Sequence, residues 1–273
     1  MKKYRVPSKD KKFRLKNYDP EDTGDYSDSK KGKDQAKEKL LKLADEIKNY
    51  QEKLYASANQ ALLIVFQAMD TGGKDSTIRG VFSSINPQGC RVSSFKKPTE
   101  LELSHHFLWR IFQKVPRKGM IGVFNRSHYE DVLITRVHGW VSDKLAKQRF
   151  EEIRDFERSL RDNGTRILKF YLHISKDEQK KRLQDRLDVP KKNWKFNPDD
   201  LEERTHWNQY QKVYEEAIQA TSTEEAPWFI VPANNKWFRN IVVAETVRGA
   251  LKTMKLKFPP PPKGLDFKNI TID

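Results

Sequence analysis

One cysteine, Cys90, stands in the 273 residues of the chain. That excludes an internal disulfide framework and fits a reducing compartment, so a cytoplasmic location is expected. Long apolar runs are missing as well: none reaches the roughly 18 residues that a membrane span requires, and no membrane partner is expected. The opening stretch "MKKYRVPSKDKKFRLKNYD" is basic but has no apolar segment, which gives the expectation of no secretory signal. The six histidines form no HExxH pair and lie beside no second cysteine, so a zinc site is not expected. Acidic residues are in deficit, 38 against 53 lysines and arginines, for a formal charge of +15. That excess predicts a polyanionic partner, such as nucleic acid, an anionic surface or a phosphate-rich substrate, or else only a solubilising surface.

What the chain does have is alternation. Residues 1–31 are polar and read as an extended or partly ordered arm. Residues 32–255 read as one α/β catalytic unit, and 256–273, with its "FPPPP", as a tail that cannot be helical. Helical spacing covers 34–58, 76–85, 100–112, 145–162, 176–187, 199–220 and 236–254. Short apolar runs at 61–67, 90–95, 120–125, 166–174 and 228–233 read as strands. Five strands interleaved with helices predict a parallel five-stranded sheet with helices on both faces. Ligands of such sheets sit beyond the carboxyl ends of the strands.

Just past the first strand comes "AMDTGGKDST", Ala68 to Thr77. The usual phosphate loop reads Gly-x-x-x-x-Gly-Lys-[Ser/Thr]. Here Ala68 replaces the first glycine and Asp75 the hydroxyl residue, yet the physics survives. Gly72 and Gly73 allow close backbone approach, and the following helix offers free N–H groups to an anion. Lys74 adds a mobile charge, and Ser76 and Thr77 lie in the first helical turn. Asp70 would repel phosphate unless a divalent cation sits between them. Two other roles stay open for it: a proton acceptor, or a turn former. Asp75 reads first as a carboxylate at a helix start.

A second segment, "VFNRSHYEDVLITRVHG", runs from Val123 past the end of another strand. Asn125 stands where an acidic metal ligand is common in phosphate-transferring enzymes. Arg126 and Arg136 could each grip phosphate oxygens or serve in surface ion pairs.

Together "AMDTGGKDSTI" and "FNRSHYEDVLITRV" resemble the polyphosphate kinase 2 family. So do "KKRLQDRLDVPKKNWKFNPDDLEERTHWNQY" (180–210) and "APWFIVPANNKWFRN" (226–240). The likeness spans about residues 30–255. It implies a P-loop kinase fold related to thymidylate kinases and Mg²⁺-dependent phosphate transfer between inorganic polyphosphate and nucleotides, with Mn²⁺ as an alternative metal. The motif details are similar to the class III subgroup, which uses AMP and ADP and forms ATP. The resemblance implies Asp70, Lys74 and Arg126 as catalytic, with Asp70 on the metal. It implies Gly73 and Lys74 as phosphate ligands, and the residues themselves add Gly72, Asp75, Ser76, Thr77 and Arg136 as phosphate-binding candidates. Lys97, Asn125, Glu130 and Asp131 are candidates for the acceptor nucleotide. Asn125 stands where many members carry Asp, and Asp131 where many carry Arg. A homo-oligomer, dimer or tetramer, is expected.

The basic segment of about 178–210 reads as a helical lid. Arg182 and Arg186, four apart, share one helix face. With Lys191 and Lys192 they could close over a polyphosphate chain, or form a solvated face. Trp194 reads as packing rather than base stacking. Two rival functions fit the same elements: an ATP-dependent nucleotide kinase of the same fold, and a nucleic-acid-binding protein. No recognition-helix or RNA-binding signature supports the second, so no nucleic-acid partner is expected.

Overall fold

The computed structural model describes all residues except Met1, Lys9, Lys11, 264–269, Thr271 and Asp273. Its strands are β1 (Ala61–Gln67), β2 (Cys90–Ser94), β3 (Ile121–Asn125), β4 (Thr165–His173) and β5 (Trp228–Pro232). They form one parallel sheet in the order β2-β3-β1-β4-β5, the α/β architecture that the alternation predicts. All seven residues of the central β1 are buried, which explains its unbroken apolar run. At the edge, β2 is largely exposed.

The helices, in chain order, are α1 (Lys30–Ser57), α2 (Lys74–Phe82), α3 (Glu100–Ser104), α4 (Trp109–Phe112) and α5 (Ile134–Val137). They continue with α6 (Asp143–Asp162), α7 (Lys176–Asp188), α8 (Asp199–Thr205), α9 (Trp207–Thr221) and α10 (Lys236–Thr253). Leu43, Ile47 and Leu54 of α1 are fully buried, and α1 packs along α10. One continuous apolar core joins both helical layers to the sheet.

Three expectations need correction. The single helix over 100–112 is two short ones: Leu101 and Leu103 stand two apart, cannot share a helix face, and are exposed. The helix over 199–220 breaks at His206; no residue of α8 is buried, whereas Trp207 begins the buried face of α9. The arm is not loose. Tyr4, Val6, Phe13 and Leu15 are almost completely buried, because sparse apolar side chains suffice when the body offers a groove for each. Arg5 forms an antiparallel bridge with Phe229 of β5, and the Val6 N–H donates to the Trp228 carbonyl at 2.9 Å. Further on, Pro259–Pro262 lies exposed without helix, as proline requires. Most of the expected tail beyond it lies outside the described residues.

Candidate active site

β1 delivers the chain to Ala68 at the carboxyl edge of the sheet, and α2 begins at Lys74. The connecting loop is tight. Thr71 and Gly73 take φ of 61° and 97°, in the left-handed region. At Thr71, a β-branched residue, this costs roughly 1–3 kcal/mol. The surroundings hold it there: the Thr71 carbonyl accepts from Arg182 Nη1 at 3.0 Å, and the Asp70 carbonyl from Gln179 Nε2 at 3.2 Å. Glycine suits this φ at position 73, and a Cβ there would also force the end of the Arg239 side chain to shift.

Lys74 folds back and donates to the Ala68 carbonyl at 2.9 Å. Burial and then the nearby Arg126 pull its ammonium below the ordinary lysine value, against Asp70, Glu130 and Asp75. Ser76 and Thr77 donate their hydroxyls to the Gly73 carbonyl, at 3.0 and 2.9 Å. Those two hydroxyls therefore shape the turn, and it is the loop's backbone and Lys74 that are left for an anion.

β3 runs beside β1 and ends at Asn125, next to the loop. The Asn125 amide donates to Asp75 Oδ1 at 2.5 Å, which joins the two motifs. Arg126 has a φ of 62°, a second strained residue. Its Nη2 donates to Asp70 Oδ1 at 3.0 Å. Glu130 first, then Asp70, raise the guanidinium pKa further, against burial. Glu130 in turn accepts from Gln67 Nε2 at 3.0 Å. Asp70, Arg126 and Glu130 line a narrow cleft closed by Tyr210 and Tyr214 of α9. A roomier cavity of about 430 Å³ lies under the arm, between Lys3, Arg14, Tyr18 and Asp22. It includes no residue of either motif, so the chemistry belongs to the smaller cleft.

Several expected ligands lie elsewhere. Arg136 is engaged by Asp143 at 2.7 Å and Glu216 at 2.6 Å, a tie between helices rather than a free phosphate grip. Asp131 faces Arg110 at 3.8 Å, and burial raises its carboxyl to about 6. Lys97 is exposed, on the loop after β2. Arg182 is not a lid arginine. It is buried, paired with Glu178 at 2.7 Å, and donates to the carbonyls of Thr71, Ala233 and Asn234. Arg186, by contrast, reaches into the lid, to the Lys195 carbonyl and Asp200. Lys192 pairs with Asp185 at 3.1 Å, while Lys191 and Trp194 are exposed.

Sequence reasoning missed Arg239 of α10. It is 1% exposed and donates from Nη2 to Ser76 Oγ at 3.1 Å, while its Nη1 is buried without an acceptor. Burial, with Arg182 nearby, lowers its pKa to about 9. No spacing could have revealed it, because it meets the loop only through the fold. Tyr210 and Tyr214 were missed for the same reason.

A family model described as polyphosphate kinase 2 matches residues 30–259. The chain is 52% identical over 261 residues to an AMP/ADP-polyphosphate phosphotransferase of Meiothermus ruber, covering 96% of each. It is 46% identical over 234 residues to an ADP-polyphosphate phosphotransferase of Rhodopseudomonas palustris, covering 81% of each. Among solved structures, a polyphosphate kinase 2 from Arthrobacter aurescens superimposes with a TM-score of 0.91 at 44% identity, covering 97% of this chain and 92% of that one.

Proposed function

The chain belongs to the polyphosphate kinase 2 family, and from that premise we propose how its cleft works. The enzyme transfers the terminal phosphate of inorganic polyphosphate to AMP and ADP, forming ADP and ATP. The observation that carries the site assignment is the convergence of Asp70, Lys74 and Arg126, with Arg126 3.0 Å from Asp70. An in-line transfer needs two anionic chains brought end to end and the charge between them neutralised.

The flanks of the glycine loop differ in a way that suits this. On one side lie Arg126, Glu130, Tyr210 and Tyr214, where acidic and aromatic groups fit a nucleotide. On the other, beside Arg239, lie Lys236 and Lys192, cations whose charges are felt together at Lys236. We assign the acceptor to the first flank and polyphosphate to the second. Lys74 and the backbone N–H groups of the α2 N-terminus hold the phosphate in transit. Arg126 swings from Asp70 to the oxygens that gain charge.

The donor set fits Mg²⁺ only in part. Among the described residues no group of three His, Cys, Asp or Glu could hold a metal. Magnesium commonly takes one or two carboxylates and completes its shell from phosphates and water. Asp70, whose Oδ2 has no protein partner among the described hydrogen bonds, would hold it. Bound there, the ion would neutralise charge between donor and acceptor. Asn125 adds an amide rather than a charge, and it is already engaged by Asp75.

The test is an activity panel: AMP, ADP, GMP and GDP, each with polyphosphate and Mg²⁺, and each with ATP in place of polyphosphate. Product with AMP and ADP from polyphosphate is expected. Product only with ATP as donor would favour an ordinary nucleotide kinase, and none at all would overturn the reading.

A further inference from the structure

Beneath the acceptor cleft lies a buried ionic cluster that the transfer chemistry leaves unused. Lys169, in the middle of β4, is 0% exposed. Its ammonium donates to three acceptors: Glu157 Oε2 at 2.6 Å, the Thr221 carbonyl at 2.8 Å and the Tyr129 hydroxyl at 3.0 Å. Tyr129 donates onward to Glu157 Oε1 at 2.8 Å. Trp228 Nε1 donates to Thr221 Oγ1 at 2.9 Å, and the Tyr129 ring packs edge-on to Trp228 at 4.7 Å. Every donor of the lysine is matched, and both capacities of the tyrosine hydroxyl are filled.

Such a pair is a poor device for stability. Ions taken out of water lose hydration that their attraction only partly restores, and apolar residues of equal volume serve a core as well or better. Its value lies in direction, because hydrogen bonds fix distances that apolar contacts leave loose. What Lys169 joins is specific. Tyr129 lies in the short turn that carries Glu130 and follows Arg126. Thr221 ends α9, the helix that carries Tyr210 and Tyr214. One ammonium therefore holds the roots of both walls of the cleft.

We propose that Lys169 and Tyr129 are positioning residues that set the separation of the two walls, and with it the grip on the acceptor nucleotide. The inference rests on reading this cleft as the acceptor's.

Tyr129→Phe removes one hydroxyl and keeps the ring on Trp228. The KM for ADP rises about ten-fold in this variant while the KM for polyphosphate stays near wild type, and the melting temperature falls by only a few degrees as one Lys169 donor loses its acceptor. A purely structural role would instead lower the amount of folded enzyme, and so kcat, with both KM values unchanged. The double variant Lys169→Met, Glu157→Leu keeps the volume, folds, and shows at least the same rise in the ADP KM. Folded variants with a wild-type KM for ADP, or equal rises for both substrates, overturn the proposal. A wild-type enzyme inert toward ADP and AMP would remove the acceptor reading and the inference together, whereas active wild type with unshifted variants removes the inference alone.

Discussion

The glycine loop and the lid are both rich in charge, yet their charges are answered from different places. Around Ala68–Lys74 the partners come from the body of the protein: Gln179 and Arg182 of α7 bond the loop's carbonyls, and Arg239 of α10 bonds Ser76. In the lid, partners are local. Arg186 bonds the Lys195 carbonyl and Asp200, Lys192 bonds Asp185, and Asn193 bonds the carbonyls of Arg186 and Leu187. Trp194 is 79% exposed. At the far end of α8 the lid is tied down, by Glu203 to His138 and by Arg204 to the Lys176 carbonyl. A loop braced from outside keeps one shape, which preorganised transfer requires. A segment braced from within can move as a piece, which suits a cover over the reaction.

The sharpest way to break this contrast is at the loop's own functional groups. Lys74→Ala and Asp70→Asn each lower kcat by about a thousand-fold or more, with melting curves unchanged. Near-normal turnover in Asp70→Asn would remove the metal assignment. Next comes the brace. Arg182→Ala leaves three carbonyls short of a donor, so the melting temperature falls by roughly 5–10 °C and kcat by about a hundred-fold. Arg186→Ala, four residues on, lowers kcat without moving the melting temperature. If both lose stability equally, the distinction between braced loop and self-contained lid fails.

Smaller effects separate the lid further. In Lys191→Ala, Lys192→Ala the polyphosphate KM rises about three- to ten-fold and depends less steeply on salt, because fewer cations meet the chain. Stability is unaltered. The smallest effect concerns Asp131, whose carboxyl is raised to about 6 by burial. Between the usual carboxylate value and pH 6 the folded protein holds a proton that the unfolded chain has released. Stability therefore falls as pH rises through that window. Asp131→Asn flattens this slope in melting curves taken from pH 4 to 7.

Much of this was legible in the residues. The strands were, because the inner ones are buried on both faces and read as continuous apolar runs. That the two motifs stand side by side followed from loops placed after β1 and β3, whereas the roles given to Asp70, Lys74 and Arg126 came from the family resemblance. What was not legible is which cations face a ligand and which hold up backbone. Arg182 and Arg186 are identical in type and share a helix face, yet one is buried against carbonyls and the other lies in the lid. Sequence spacing places a side chain on a face but does not say what the rest of the chain brings to meet it. Arg239 and the Lys169 cluster are contacts of that kind.

The arm has one more consequence. A sheet's last strand presents unpaired N–H and C=O groups to any other strand that drifts by. Here β5 is that strand, and the bridge at Arg5 with the Val6 hydrogen bond covers part of its rim. The arm thus leaves less of that rim open to another strand, and shortening it is expected to lower solubility on concentration.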